Sequence, residues 1–126
     1  MLFEKVTEKI IGAAYKVYNQ MGFGYLEKVY EKCMNIELIK IRGLDIKQQC
    51  PIKVEYDGYD VGDFVADLVI NDEIIVELKS TRQLSSIHEV QLVNYLKATG
   101  YDLGLLINFG EKKVEIRRKV RNLKSK

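Results

Sequence analysis

Two neighbouring apolar segments most constrain how this chain can fold. Residues 64–70 and 74–79 are rich in Val, Ile, Leu and Phe, and turn-forming residues lie between them, which predicts two strands of a buried sheet joined as a hairpin. Three ionisable residues lie within these segments: Asp67, Glu77 and Lys79. Burying an unpaired charge costs on the order of several kcal/mol, so we expect these side chains to have partners.

The length of the turn decides whether the two carboxylates meet. A three-residue turn over 71–73 would pair Ile70 with Ile74 and set the carboxylates opposite each other on one face of the sheet. A two-residue turn would leave them on opposite faces. We predict the three-residue turn or an equivalent bulge, with Lys79 on the same face because it lies two residues beyond Glu77.

A pair of carboxylates beside a lysine is suited to a hard divalent cation. Magnesium is usually held by one or two carboxylates together with waters and a substrate phosphate. The lysine can then orient the attacking water or balance charge on the phosphate. The same three residues can instead form a buried ion-pair network with no chemical role, and these two strands alone leave both interpretations open.

The spacing of these charged residues resembles a known signature. Asp67, nine intervening residues and then Glu77-Leu78-Lys79 resemble the D-x(n)-E-x-K motif of the PD-(D/E)XK nuclease superfamily. The proline in the name of that motif is Ala66 here, a departure that affects none of the chemistry.

Two further motifs resemble groups within the same superfamily. Gly24-Tyr-Leu-Glu27-Lys-Val-Tyr30 resembles the signature of the GxxExxY proteins, which are placed among these nucleases. Gln91-Leu-Val-Asn-Tyr95 is similar to the Q-x-x-x-Y element of recombination-type exonucleases. The three motifs occur in the expected order, which makes a chance agreement much less frequent than for one motif alone.

The resemblance implies a metal-dependent nuclease that hydrolyses phosphodiester bonds in nucleic acid, with DNA as the expected substrate. In that interpretation Asp67, Glu77 and the backbone carbonyl of Leu78 would bind Mg²⁺ or Mn²⁺. Glu27 would complete or extend the metal site, and Lys79 would orient the attacking water. The four charged side chains are therefore the candidate catalytic residues.

Other residues are candidates for supporting roles. His88, Gln91 and Tyr95 share one face of a predicted helix because they lie at i, i+3 and i+7. The resemblance places the glutamine and the tyrosine beside the metal site in contact with substrate, and we include His88 as a third candidate for substrate binding. We expect Tyr30 and Glu31 to fix their helix against the sheet, with Glu31 as an outer partner of the site.

Patterning along the chain predicts the order α-α-β-β-β-β-α-β-β. This is an α/β fold with a central mixed β-sheet flanked by helices, and the resemblance implies that it is restriction-endonuclease-like. The predicted helices cover 3–19, 26–42 and 86–99, and the predicted strands cover 44–50, 52–56, 59–70, the segment through Glu77, 104–109 and 113–120. The strand through Glu77 and strand 104–109 should be parallel, because a helix connects them.

Local signals add detail to this prediction. Pro51 separates the first two strands and marks a sheet edge or a bulge. The third helix should begin with a capping box in which Ser86 pairs with Glu89, and it should stop at Gly100. The apolar side of the second helix is predicted to comprise Leu26, Val29, Tyr30, Cys33, Ile36 and Ile41.

Composition limits the class of protein. A chain of 126 residues is expected to form one domain, 1–126. No apolar run approaches about 18 residues and the N-terminus has no signal-peptide pattern, so we expect a cytoplasmic protein with no membrane segment. Cys33 and Cys50 lack C-x-x-C spacing, and a zinc site would need ligands that the chain does not offer.

Positive charge is concentrated at the C-terminal end. Residues 111–126 contain eight Lys or Arg and two Glu, a net charge of +6, and the most basic part is a tail over about 117–126. Such a tail can bind a polyanion such as nucleic acid, or it can simply keep the protein in solution.

Three functions remain open from the sequence. The protein is an active DNA nuclease, a nucleic-acid-binding module without turnover, or a partner-binding scaffold in which the acidic residues are structural. We expect the first, because every catalytic residue type is present, and we also expect a homodimer that can reach both strands of a substrate.

Overall fold

The computed structural model describes residues 3–121. Within them lie three helices and five strands: α1 (Glu4–Met21), α2 (Glu27–Ile39), β1 (Ile46–Tyr56), β2 (Tyr59–Ile70), β3 (Ile74–Lys79), α3 (Ser86–Thr99), β4 (Leu103–Phe109) and β5 (Val114–Val120). The predicted order is confirmed, with the segments on either side of Pro51 joined in the single strand β1. None of these helices has the length and apolar character needed to cross a bilayer.

The five strands form one mixed sheet. Their order is β1-β2-β3-β4-β5, and only β3 and β4 run parallel, as expected from the helix that connects them. The other neighbouring pairs are antiparallel. Pro51 therefore lies in an edge strand, where its missing N–H interrupts no second ladder.

Helices cover both faces of the sheet. The core under α1 and α2 is the larger one, and its members include Ile10, Ala14, Val17, Met34, Leu38, Leu68, Ile70, Val76, Leu78, Ile107 and Phe109. The core under α3 comprises Phe64, Ala66, Val69, Ile75, Leu92, Leu96 and Leu106. Because side chains alternate along β3, Glu77 and Lys79 lie on the α3 face, together with Ile75.

The hairpin of β1 and β2 changes the face that it presents partway along its length. Ile46 and Ile70, which pair with each other, pack against the α1/α2 core, whereas Ile52 and Phe64, also a pair, pack against the α3 core. Strict alternation would put all four on one face. The irregularity lies at Gln49, whose φ of 51° is a left-handed conformation that twists the strand.

Strands β2 and β3 separate next to Gln49, just past Leu68. Their ladder runs from the pair Ile70–Ile74 to the pair Leu68–Val76, while β2 continues to pair with β1 beyond it. Asp67 is therefore the first residue of β2 past the ladder. In the gap between the strands, backbone N–H groups are free to bond to the side chains of Asp67 and Glu77.

The buried face of α2 differs from the prediction. Its buried residues are Tyr30, Glu31, Met34 and Leu38, whereas Leu26 and Ile36 are 77% and 53% exposed. The helix also ends at Ile39, because the next two N–H groups bond three residues back instead of four. A helix rotated in this way brings a glutamate, rather than an isoleucine, against the sheet.

The start of α3 also differs from the prediction. Ser85, not Ser86, is the N-cap, and its Oγ accepts a hydrogen bond of 3.2 Å from Ile87 N–H. Glu89 forms ion pairs with Arg117 and Lys119 and takes no part in a capping box. The helix ends at Gly100, as predicted.

Candidate functional site

The predicted register of the β2–β3 hairpin is confirmed. Ile70 pairs with Ile74 across a three-residue turn, which the hydrogen bond from Glu73 N–H to the carbonyl of Ile70 closes at 2.9 Å. Asp67 therefore lies across from Glu77. This is the arrangement that an odd turn length favours and a two-residue turn would have prevented.

The two carboxylates bond to backbone groups at the point where the strands separate. Leu78 N–H donates to Asp67 Oδ2 at 2.8 Å, and Asp67 N–H donates to Glu77 Oε2 at 3.3 Å. Each side chain thus accepts a hydrogen bond that a ladder carbonyl would otherwise accept. Satisfying these N–H groups fixes both carboxylates in the gap.

Burial and nearby negative charge make both carboxylates reluctant to ionise. Burial, and secondarily the nearby charge of Asp67, raises the pKa of Glu77 from 4.5 to about 8, against an opposing effect of Lys79. Burial likewise raises the pKa of Asp67, with the charges of Glu31 and Glu27 adding to the effect. Carboxylates with raised pKa values lack a compensating positive charge, and a bound cation would favour their ionised form.

The charge of Glu27, on α2, acts on the two strand carboxylates from a distance. Glu27 is the exposed first residue of that helix, and its charge raises the pKa of both Asp67 and Glu77. The structure therefore brings the helix glutamate within electrostatic range of the strand carboxylates. At a helix N-terminus a carboxylate is also stabilised by the helix dipole.

Glu31 supports the site from behind. It is buried, and its Oε1 and Oε2 accept hydrogen bonds from the amides of Gln49, at 2.5 Å, and Gln48, at 3.0 Å. The Gln49 amide also lies 3.4 Å from Asp67 Oδ1. Gln49 thereby bridges the carboxylates of Glu31 and Asp67. The unusual backbone conformation at Gln49 serves the site in this way.

The residues predicted on α3 face a cleft that Glu77 and Lys79 also line. This cleft of about 70 Å³ is lined by Phe64, Glu77, Lys79, His88, Gln91, Leu92, Tyr95 and Leu106. The rings of Tyr95 and Phe64 are stacked with centroids 3.5 Å apart, so the tyrosine is fixed by β2. Within the described residues, the buried Nδ1 of His88 has no hydrogen-bond partner.

The loop between Lys79 and α3 is anchored to β4 and β5. The amide of buried Asn108 accepts from Thr81 N–H at 2.9 Å and donates to both the Thr81 carbonyl and Glu115 Oε1 at 2.9 Å. Glu115 Oε1 also accepts from Leu84 N–H at 2.9 Å. This network fixes the position of Lys79 relative to the α3 side chains.

Sequence reasoning did not find Gln48, Gln49 or Phe64. Glutamine carries no signal for a left-handed strand residue, since Gly, Asn and Asp are the types usually found there. Nothing in the sequence shows that β1 passes next to Glu31. For Phe64, the sequence predicts only an apolar position in a strand.

The donor set matches some metals and not others. In the part of the chain that the structure describes, no group of three or more His, Cys, Asp or Glu side chains is arranged to hold a metal ion. Glu27, Asp67 and Glu77 are therefore not gathered there as a three-carboxylate cluster. Two carboxylates next to the backbone of Leu78 are the sparse oxygen donors that magnesium or manganese uses with water and a substrate phosphate.

Much of the described C-terminal positive charge is already paired. Arg117 and Lys119 pair with Glu89, and Arg121 pairs with Asp102 at 2.6 Å. The rest of the predicted basic tail, 122–126, lies outside the described residues.

Comparison with known families agrees with the geometry. The sequence model of the PD-(D/E)XK nuclease superfamily matches residues 4–119. The chain belongs to the PD-(D/E)XK nuclease superfamily. Membership agrees with the order of elements and with the position of Asp67 and Glu77 at the opening between β2 and β3.

This PD-(D/E)XK chain also has the fold of a solved protein. The crystal structure of SSO0001 superposes with a TM-score of 0.60 at 17% sequence identity, over 77% of this chain and 50% of SSO0001. The match supports the restriction-endonuclease-like fold and spans only half the length of that protein. Among curated proteins, none has a sequence that matches this chain.

Proposed function

We propose that this protein is a metal-dependent nuclease that hydrolyses phosphodiester bonds in nucleic acid, with DNA as its substrate. The observation that carries the proposal is the meeting of Asp67 and Glu77 across the β2–β3 opening, both with raised pKa values, while Glu77 and Lys79 line one cleft. Membership of a nuclease superfamily makes phosphodiester hydrolysis the first chemistry to test.

The proposed metal ligands are Asp67, Glu77 and the carbonyl of Leu78, with Glu27 extending the site. When bound, Mg²⁺ or Mn²⁺ would polarise the phosphodiester and lower the pKa of water. Hydrogen bonds from the backbone hold the two strand carboxylates in place before any cation arrives. This preorganisation reduces the cost of bringing like charges together.

Lys79 and the α3 residues have the remaining proposed roles. Lys79 donates hydrogen bonds to the attacking water and balances negative charge at the phosphorus. Gln91 donates to or accepts from the substrate, and Tyr95 and His88 line the path that it follows. Their shared lining of the cleft supports this assignment.

We also propose that the chain is one of the GxxExxY proteins. The geometry supplies a physical reason for each residue of that motif: Gly24 has a φ of 117° that other residues rarely adopt, and Glu27 starts the helix at the site. Tyr30 is buried, stacks on Phe109 at a centroid distance of 4.2 Å, and donates its hydroxyl proton to the carbonyl of Gly22.

A second candidate is a nucleic-acid-binding module without turnover. It is favoured by the finding that, among residues 3–121, no group of three or more His, Cys, Asp or Glu side chains is arranged to hold a metal ion. Binding without cleavage is the expected result in that case.

Cleavage of linear, circular, flapped and branched DNA in the presence of Mn²⁺ tests the proposal. We expect cleavage by the wild-type protein, none in EDTA, and a loss of about a hundredfold or more in Lys79→Ala. Lys97→Ala, an exposed lysine on α3, is the matched control and should retain activity. Binding of DNA without cleavage would favour the second candidate, and equal cleavage by Lys79→Ala would refute the assigned site.

Two further expectations are proposals as well. We propose that the protein acts in the cytoplasm and that it pairs as a homodimer, so that two sites can reach two strands. Sedimentation equilibrium tests the dimer, and a monomer at all accessible concentrations would contradict it.

A further inference from the structure

A short loop beside the candidate site exposes three large apolar side chains. This loop, residues 22–26 and hereafter the aromatic loop, presents Phe23 at 37% exposure, Tyr25 at 46% and Leu26 at 77%. Single exposed apolar residues are common, but three within four consecutive positions form a patch of the kind that usually meets a partner.

The aromatic loop is fastened in place. The Tyr30 hydroxyl donates to the carbonyl of Gly22 and lies 3.4 Å from the N–H of Tyr25. From the other side, Ser80 Oγ donates to the carbonyl of Tyr25 at 2.7 Å. These contacts fix the backbone, so the exposed side chains are presented without a large ordering cost on binding.

The position of the aromatic loop ties it to the carboxylates. Ser80, which holds the loop, directly follows Lys79, and Leu26 directly precedes Glu27. The loop therefore borders the place where Glu27 acts on the two strand carboxylates.

Charges of both signs lie next to the loop, and two lysines among them are available to an anion. Lys28 and Lys79 form no ion pair with any residue between 3 and 121. The two lysines suit an anionic partner, and the exposed side chains suit one that offers flat or apolar surface. The cation of the proposed nuclease would offset the negative charge of Glu27, Asp67 and Glu77. An unpaired nucleotide strand meets both requirements, because its phosphates are charged and its bases have exposed faces. A fully paired duplex has its base faces stacked and offers mainly phosphates to this surface.

We propose that the aromatic loop stacks on unpaired bases next to the cleaved phosphate, so that the substrate is a single strand or a frayed end; this inference rests on the proposed nuclease function. Phe23 and Tyr25 supply aromatic faces, and Leu26 acts as an apolar wedge that keeps neighbouring bases apart. The loop thereby selects substrate by strand state and not by base identity.

Fluorescence anisotropy with labelled DNA in EDTA, so that nothing is cleaved, tests this inference. We expect the wild-type protein to bind a single strand about tenfold more tightly than the blunt duplex of the same sequence. Phe23→Ser and Leu26→Ser should each lose most of that preference while duplex binding stays unchanged. Ile39→Ser, which replaces a residue 62% exposed at the far end of α2, is the matched control and should behave as wild type.

A second readout does not depend on the variants. A 2-aminopurine placed in the single strand should change its fluorescence on binding to the wild-type protein, because its stacking partner changes. Equal binding of single strand and duplex by wild type, or an unchanged preference in both serine variants, overturns the inference and leaves the nuclease proposal standing. Absence of any DNA binding by wild type in EDTA also overturns the inference, whereas the nuclease proposal is decided by the cleavage assay with Mn²⁺.

Discussion

Replacing Glu77 by glutamine should stabilise the cation-free protein at high pH. Burial and the charge of Asp67 raise the pKa of Glu77 from 4.5 to about 8 in the folded state, whereas the unfolded chain has the ordinary value. Between these values the folded protein binds a proton that the unfolded protein does not. The contribution of Glu77 to stability is therefore complete below about pH 4.5 and is lost as pH rises towards 8.

The size of the effect follows from the same pKa. Each tenfold change in proton affinity is worth about 1.4 kcal/mol, so a pKa raised from 4.5 to about 8 destabilises the folded protein by up to about 5 kcal/mol above pH 8. Glu77→Gln keeps an oxygen that can accept from Asp67 N–H and carries no charge. Its free energy of unfolding should exceed that of wild type at pH 9 and match it more closely at pH 5.

Urea unfolding in EDTA at several pH values measures this difference. The chain has eight Tyr and no Trp, so circular dichroism or tyrosine fluorescence reports the transition. Glu73→Gln, at an exposed position in the neighbouring turn, should show the pH dependence of wild type. If Glu77→Gln loses stability between pH 5 and 9 as steeply as wild type does, the electrostatic account of the site is wrong.

Three substitutions test the scaffold around the site by urea unfolding. Tyr30→Phe removes the hydroxyl that holds the aromatic loop and should cost about 1 kcal/mol, with no change expected if the loop is held by other contacts. Asn108→Ala leaves the N–H of Thr81 without its acceptor and should cost about 2–3 kcal/mol; a neutral result would contradict the network. Gly104→Ala puts a Cβ 2.8 Å from Leu92 Cδ1 and should cost about 1 kcal/mol or more as Leu92 shifts, whereas a gain in stability would show that α3 is not packed this closely.

The meeting of the strand carboxylates could be predicted because counting alone decides it. Three residues in the turn set Asp67 across from Glu77, and the two-residue period of a strand then carries Lys79 to the same face. The parallel neighbour of β3 followed from the helix crossover in a similar way. Such predictions use only spacing along one or two strands.

The surroundings of the carboxylates could not be predicted, because they depend on how separate elements meet. The left-handed backbone at Gln49 has no local signal, yet it switches the face of the hairpin and bridges Glu31 to Asp67. The rotation of α2 that buries Glu31 and exposes Ile36 is set by packing of Tyr30 on β4. Tertiary contacts outweighed the periodicity of the sequence at these positions.

Manganese binding is the most direct test of the cation site. Electron paramagnetic resonance of free Mn²⁺ during a titration counts the ions that the protein holds, without requiring substrate or turnover. We expect binding by wild type and by Asp63→Ala, an exposed carboxylate on the same strand as Asp67, and loss of most binding in Asp67→Ala. Absence of Mn²⁺ binding by wild type, or equal binding by Asp67→Ala, would contradict the assignment of these carboxylates to a metal site.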